Sequence, residues 1–405
     1  MRAIKRTFKY KLNPTAKQEV CLYKFLGACR QLYNVCLEHR ILAYRTDRST
    51  VSDFEQMKQL IELKEEFQFF KEVHSQVLQD VVRRLGKSFK NFFRRVKRGE
   101  AHGFPRFKGR YRYKSFTFPQ SGFEIDDSIL KMSKIGNVKI VLHREIPENA
   151  IIKCLTMKCD DCGDWFACFS TEELIDINKK EIVKVVGVDV GIEKLATLST
   201  GEFFENKKYI KDSEKKLKRL HRRLSRKKRG SSNRKKARLE LVKGYRKLKR
   251  QRDDYLHKVS CRLVNNFDLM AFEDLRIKNM VINKYLSKHI YDSSWGKLID
   301  YTIYKAEEAG KKVVLVDPRN TSQLCSGCGK MVNKSLSQRL HICPYCSLSV
   351  DRDLNASFNI LDRGFEKIGL GQAELTPMEN GVHLSREGLG QPFGEVGSSL
   401  KMCSI

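Results

Sequence analysis

Asp189, Glu273 and Asp353 are three acids whose local settings could bring them into one pocket. Asp189 closes an apolar, β-branched run, VKVVGVDV at 183–190, and Gly191 follows it. Glu273 closes a second apolar run, LMAFE at 269–273, and Asp353 opens DLNASFNIL, a stretch with helical spacing. Acids at strand ends of one open sheet can converge although far apart in the chain. Such a trio suits phosphodiester hydrolysis. Two Mg²⁺ ions about 4 Å apart, sharing a carboxylate, activate a water and stabilise the departing 3′ oxygen, and magnesium prefers hard oxygen ligands. Each acid taken alone has a plainer explanation. An acid after an apolar strand is usually a strand end near solvent, Asp353 could be only a helix N-cap, and Asp351 competes with it within Asp351-Arg352-Asp353.

The second chemical feature is Cys325-x2-Cys328, 14 residues, then Cys343-x2-Cys346. Four thiolates at this spacing form a closed tetrahedral site for one Zn²⁺, structural because no coordination position is left open. Cys159-x2-Cys162 has no second pair nearby and reads as a hairpin turn between two strand patterns. Cys21, Cys29, Cys36, Cys154, Cys168 and Cys261 lie in apolar patterns and read as core. An odd total of 13 cysteines with no secretory signal argues against a disulfide framework and for a reducing cytoplasm. No run of about 18 apolar residues is present, so no membrane span is expected.

Two sets of elements must hold these groups. Residues 1–12 alternate as a strand, with Ile4, Phe8, Tyr10 and Leu12 on one face, and Asn13-Pro14-Thr15 starts a helix. Residues 15–100 form a helical block, with stripes at Leu22, Phe25, Leu26, Cys29, Leu32, Tyr33 and Cys36, and at Val77, Leu78, Val81, Val82, Leu85, Phe89, Phe92 and Phe93. From about 115 to 172 the pattern is that of short strands, a small β-barrel or sheet into which the helical block is inserted. An αβ domain begins near 181. Its strands lie at 183–190, 269–273 and 312–317, with hairpins at 194–199 and 202–205 and a helix at 294–309. Two long basic helices span 212–264, the cysteine-rich insert occupies 321–350, and a helix runs from 353 to about 363. Strand-Asp, long helices, strand-Glu, then Asp on a helix is the layout of a RuvC/RNase H-like nuclease. Residues 364–405, rich in Gly, Ser and Glu, read as a poorly ordered tail.

Charge names the partner. Lys and Arg number 79 against 48 acids, a net +31. Residues 207–258 alone hold 24 Lys or Arg against 5 acids. Repulsion at that density points to phosphates as the counter-charge. Leu217, Leu220 and Leu224 form one apolar seam in this pair, and Leu239, Val242, Leu248, Tyr255 and Val259 another. Arg222, Arg223, Lys227 and Arg234 are candidate backbone contacts. The aromatics of GFPRFKGRYRYKSF, 103–116, could stack on bases or pack inward.

Taken together, NTSQLCSGCG at 320–329, the second cysteine pair, DRDLNASFNIL at 351–361, GVDVG at 187–191, AFEDL at 271–275, GFPRFK at 103–108 and KYKLNPTAKQ at 9–18 resemble the TnpB family of transposon-encoded proteins. The likeness spans roughly residues 4–362, with the motifs in order. It implies a wedge β-barrel from 1–14 and 101–180, a helical recognition domain at 15–100, and a RuvC-like nuclease domain from 181–320 and 351–363. A zinc ribbon at 321–350 would be inserted in the nuclease domain. It also implies catalytic, magnesium-binding acids at Asp189, Glu273 and Asp353, the family pattern favouring the second Asp of DRD. The implied partners are a guide RNA from the transposon end and a double-stranded DNA target beside a short adjacent motif, with Gln79 a candidate for reading that motif. The expected state is a monomer acting in a prokaryotic cytoplasm, at the nucleoid when bound to DNA. The chain departs from the family pattern at Ser347 and Val350, neither a ligand in this scheme. It keeps all three acids, which favours a cutting enzyme over a guided repressor. It lacks the Tyr/His-hydrophobic-His arrangement of a strand-joining transposase.

Overall fold

The computed structural model describes residues 2–175, 181–335 and 338–369. The chain forms two compact units, dividing between residues 176 and 177.

The first unit is a seven-stranded antiparallel sheet carrying helices. Its strands are β1 (Arg2–Asn13), β2 (Ser115–Phe118), β3 (Phe123–Asp126), β4 (Ile129–Met132), β5 (Gly136–Val141), β6 (Ile151–Cys159) and β7 (Trp165–Ile175), in the order β2-β6-β7-β1-β5-β4-β3. The alternation read in β1 is real: Phe8, Tyr10 and Leu12 are buried and the residues between them are exposed. The sheet nearly closes. Its end strands β2 and β3 share no ladder among the described residues, and the Phe118 and Phe123 rings meet edge to face at 6.3 Å. Cys159 pairs with Trp165 across the β6–β7 hairpin, so Cys162 lies in its turn.

The helices of this unit are α1 (Ala16–Asp47), α2 (Asp53–Lys58), α3 (Leu60–Glu66) and α4 (Ser75–Lys97). Thr15 starts α1 with a capping box: its hydroxyl accepts from Gln18 N–H, and the Gln18 side chain accepts from Thr15 N–H. The α1 stripe, Leu22 to Leu37, packs with Val77, Leu78, Val81, Val82 and Leu85 of α4 in one core with the sheet. Burial along α4 fades after Gly86, and Phe93 is 59% exposed.

The second unit is built on a mixed five-stranded sheet of β8 (Val185–Asp189), β9 (Lys194–Leu198), β10 (Phe203–Glu205), β11 (Leu269–Glu273) and β12 (Lys312–Val316), in the order β10-β9-β8-β11-β12. β8, β11 and β12 run parallel, while β9 and β10 return antiparallel as hairpins. All five residues of β11 are buried, as expected of a strand covered on both faces. Asp268 helps set the register, its carboxylate accepting from Lys184 N–H at 3.0 Å.

Alternation within the strands sorts residues onto two helical layers. Val186, Val188, Met270 and Phe272 pack with α6 (Ser232–Asn266) and α9 (Trp295–Glu308). Leu269, Ala271, Val314 and Val316 pack with Ile360 and Phe365 of α10 (Arg352–Ile368). The remaining helices are α5 (Tyr209–Ser225), α7 (Ile277–Met280) and α8 (Lys284–Ser293), and a two-stranded ladder joins β13 (Leu340–Ile342) to β14 (Ser349–Asp351). No helix among the described residues is long and apolar enough to cross a membrane.

Two differences from the sequence reading have physical causes. The α6 seam against Leu217 and Leu220 runs through Ala237, Leu241 and Leu248, whereas Leu239 and Val242 are half-buried. Gly244 sits within it, 3.3 Å by its absent Cβ from Leu220, so the true stripe has a gap where apolarity is counted. The last helix passes residue 364 and ends at Ile368. Gly364, read as the start of a tail, is a contact residue: a Cβ there would stand 2.8 Å from Ala271 Cβ. The tail reading from residue 370 onward falls outside the described residues.

Gly187 is the matching device on the sheet. Its register partner is Ala271, and a Cβ on it would come 2.0 Å from the Ser357 carbonyl oxygen and 2.9 Å from Leu361 N. Small residues at 187, 271 and 364 thus let α10 lie directly on β8 and β11. Gly187→Ala is expected to push α10 off the sheet at a cost of about 1–3 kcal/mol. Urea unfolding checks this; an unchanged midpoint would refute the close approach.

Candidate active site

β8 and β11 end side by side. Phe272 pairs with Val188, so Asp189 and Glu273 are the next residues in register on adjacent parallel strands. Val188 and Phe272 belong to the α6–α9 layer. Alternation therefore turns Asp189 and Glu273 to the other face, the face α10 covers. α10 begins there, with Asp353 in its first turn.

The electrostatics agree with this convergence. Burial, then the charges of Glu273 and Asp353, push the Asp189 carboxyl well above the usual range, against the pull of Arg352. Burial raises Glu273 too, opposed by a hydrogen bond from Thr321 and by Arg363. Asp353 is partnered by Arg352 at 3.3 Å and Arg339 at 3.8 Å. Arg339 also pairs with Glu193 at 2.7 Å.

Asp351 is occupied elsewhere. It N-caps α10, accepting from Asp353 N–H at 2.8 Å and Leu354 N–H at 3.3 Å, and it pairs with Lys194 at 3.0 Å. Against the upward push of burial, these donors hold its carboxyl below the ordinary value. The segment after Asp189 is fixed in turn by Trp295, buried, whose indole N–H donates to the Gly191 carbonyl at 3.0 Å.

Polar side chains on the inner face of α10 hold the loop that runs from β12 to the cysteines. Asn355 and Asn359 are both buried. Asn355 Nδ2 donates to Leu324 O at 2.7 Å, and its Oδ1 accepts from Ser326 N–H at 3.0 Å. Asn359 Nδ2 donates to Thr321 O and Leu324 O, each at 2.8 Å. No local pattern assigns Asn355 or Asn359 this task. The available signal was spacing: Asp351, Asn355 and Asn359 form a polar stripe at four-residue steps on an otherwise amphipathic helix.

Cys325, Cys328, Cys343 and Cys346 do meet. Their sulfurs lie within 4.8 Å of one another, and among the described residues they alone form so tight a group of metal-ligating side chains. Cys325–Cys346 and Cys328–Cys343 are each 3.6 Å apart. A zinc tetrahedron with bonds of about 2.3 Å has edges near 3.8 Å, so the quartet could bind zinc with little adjustment. Backbone N–H groups of Gly327 and Cys328 point to the Cys325 sulfur, and those of Tyr345 and Cys346 to Cys343; Cys343 is brought down to about 6, whereas burial pushes Cys325 up to about 12, a cost a bound cation would offset.

The basic helices α5 and α6 pack through Leu217, Leu220, Leu241 and Leu248. A cleft of about 550 Å³ between them is lined by Lys216, Arg219, Arg223, Lys243 and Lys247, with Glu240 the acid among them. Arg223 pairs with Glu240 at 2.6 Å. Arg222 and Lys227 are exposed. Arg234 has a structural duty: its Nη1 donates to Leu224 O and Lys227 O, both at 2.9 Å, closing the C-terminus of α5. In the first unit, Gln79 sits half-buried on α4. Of the 103–116 aromatics, Tyr113 and Phe116 are core, Phe104 packs on Phe89 and Phe92, and Phe107 and Tyr111 are exposed.

Three family descriptions match the chain: "Helix-turn-helix domain" over residues 1–49, "Probable transposase" over 168–284 and "Cas12f1-like, TNB domain" over 295–360. Residues 1–49 fold as β1 followed by the single long helix α1. A Streptomyces pristinaespiralis protein named "Putative RNA-guided DNA endonuclease" is 34% identical over 397 residues, 96% of this chain and 97% of that one. An Escherichia coli K12 protein named "Putative RNA-guided DNA endonuclease InsQ" is 31% identical, covering 91% of this chain and 94% of its own. A solved Cas12f1–sgRNA–target DNA complex shares the fold, with a TM-score of 0.56 at 13% identity over 88% of this chain and 98% of that one.

Proposed function

The chain belongs to the TnpB family, and from that premise we propose that it is an RNA-guided DNA endonuclease, cleaving double-stranded target DNA beside a short adjacent motif through a RuvC-type site at Asp189, Glu273 and Asp353. The observation that carries this reading is the register of β8 against β11, which aligns Asp189 with Glu273 on the face where α10 presents Asp353.

The donor set fits magnesium. It is three hard carboxylates, two at the C-terminal ends of β8 and β11 and one in the first turn of α10, and burial followed by repulsion from Glu273 and Asp353 opposes ionisation of Asp189, a condition a divalent cation would relieve. Magnesium, when bound, supplies Lewis-acid stabilisation of the phosphoryl oxygens and a more acidic water. The rest falls to the protein's own groups. Asp189, Glu273 and Asp353 would hold the cations, α10 carries Asp353 over the sheet, and Trp295 keeps the chain after Asp189 in place. The four-cysteine ribbon takes one structural zinc.

Recognition is delegated to base pairing. The guide RNA from the transposon end pairs with the target strand, and the protein holds the duplex by its backbone. The exposed cations of α5 and α6, Arg222 and Lys227 among them, suit that role. In the first unit, the nearly closed sheet serves as the wedge barrel and α1–α4 as the recognition domain, with Gln79 on α4 the candidate for reading the adjacent motif. The working unit is a monomer in a prokaryotic cytoplasm.

The test is plasmid cleavage by the protein purified with its RNA. With Mg²⁺, a plasmid bearing the guide's complement beside a randomised flank is expected to linearise, and sequencing of the cut flanks gives the adjacent motif. Intact plasmid with every component present would turn the reading toward a guided repressor.

A further inference from the structure

Thr321 is assigned no ligand role above, yet it touches a ligand. It is 2% exposed, and its hydroxyl donates to Glu273 Oε1, with the Pro318 carbonyl at 3.2 Å as a second, uncharged acceptor. The charged acceptor makes the stronger bond. The Thr321 backbone is anchored in turn, because Asn359 Nδ2 donates to its carbonyl at 2.8 Å. The same amide group and Asn355 hold Leu324 O, and Asn355 also accepts from Ser326 N–H. Both asparagines project from α10, the helix whose first turn carries Asp353.

Building on the three-acid reading, we infer that Thr321 is a positioning residue for the cation site: its hydroxyl, bonded to Oε1, fixes the orientation of the Glu273 carboxylate that would hold a cation. Asn355 and Asn359 tie it to the helix that carries Asp353. Glu273 and Asp353 come from segments 80 residues apart in the chain, and this clamp sets their separation. A ligating carboxylate left without its outer hydrogen bond must be ordered at the moment of binding, which characteristically costs 10–100-fold in metal affinity.

The test uses Thr321→Val and Thr321→Ser in the protein with its RNA, beside Asp189→Ala. Mn²⁺ affinity is measured by electron paramagnetic resonance without DNA, and the Mg²⁺ concentration for half-maximal plasmid cleavage is measured separately. Thr321→Val is expected to weaken Mn²⁺ binding about tenfold or more and to raise the Mg²⁺ midpoint likewise, with cleavage returning at saturating Mg²⁺. Thr321→Ser, which keeps the hydroxyl, should stay within about threefold of the parent. Zinc content and melting temperature report whether Thr321→Val folds. If it does not, Thr321→Ala removes the hydroxyl without a bulkier replacement and should show the same loss. Mn²⁺ affinity within about twofold of the parent in the variant lacking the hydroxyl overturns the inference. So does a serine variant as weak as the valine one, since the methyl group would then be what matters. If Asp189→Ala also binds Mn²⁺ normally, the three-acid reading itself falls. If Asp189→Ala loses Mn²⁺ and Thr321→Val keeps it, the positioning role alone is refuted.

Discussion

Asp189→Ala is expected to reduce target cleavage by more than about 10³-fold while guided DNA binding persists. The argument is positional. Asp189 follows Val188 as Glu273 follows its register partner Phe272, and the charges of Glu273 and Asp353 both oppose its ionisation. On the proposed reading, removing it removes the ligand that both cations would share. Binding should survive, because the cations of α5 and α6 lie on elements that Asp189 does not hold.

The isosteric Asp189→Asn adds a second readout. In the unfolded chain this carboxyl titrates near 3.9. In the fold it titrates well above its usual value, through burial first and then through Glu273 and Asp353. Between those values the unfolded chain has released a proton that the fold retains, so this group's contribution to stability falls as pH rises. In chelator near pH 7.5, Asp189→Asn should therefore raise the melting temperature by about 2–4 °C for each kcal/mol of repulsion relieved. Mg²⁺ should stabilise the parent and leave the variant unmoved. Parent-like cleavage by either variant would end the nuclease assignment at these residues.

Cys343→Ala is expected to abolish cleavage by a different route. Cys343 is 1% exposed and packs with Cys325, Val332 and Leu348 in the small core of the ribbon. Four thiolates bind structural zinc with roughly 10–16 kcal/mol, most of what so small a module has to hold it folded. The first cysteine knuckle is continuous with the loop clamped by Asn355 and Asn359, whose Thr321 bonds Glu273. Unfolding the ribbon should thus loosen one acid of the site. Metal analysis should find zinc in the parent and none in Cys343→Ala, with cleavage below about 1% of the parent. Asp189→Ala should keep its zinc, which separates the two causes. A zinc-free variant that cuts at the parental rate would show the ribbon and the carboxylates to be independent.

Much of the frame was legible because its signals are local. The alternation of β1, the stripes of α1 and α4, the CxxC spacing and the β-branched runs before Asp189 and Glu273 each need only a short window to be read. The unrecognised parts need partners. Nothing in residues 274–293 announces α7 and α8, which are 4 and 10 residues long. The α6 seam keeps Leu248 but takes Ala237 and Leu241 in place of Leu239 and Val242, and Gly244 contributes to it by having no side chain. Gly364 reads locally as the start of a tail, and its value, the closeness it allows to Ala271, shows only in the packed helix. Charge is all that the sequence shows of Arg234; the turn it closes exists only once α5 and α6 fold back on each other.

The sequence by itself determined which donor types are available: thiolates paired at a spacing that suits a four-coordinate ion, carboxylates ending two apolar strands and opening a helix, and a basic helical pair. Spacing within a short segment carries that information, since side-chain type sets the bond and local periodicity sets the element. Tertiary structure gave chemically similar groups different partners. Asp351 and Asp353 are two residues apart; Asp351 caps α10 and pairs with Lys194, whereas Asp353 pairs with Arg352 and Arg339 and exerts the larger push of the two on Asp189. Thr321 acquired a task only when α10 settled onto β8 through Gly187, because a hydrogen bond across 48 residues depends on packing that no local pattern encodes.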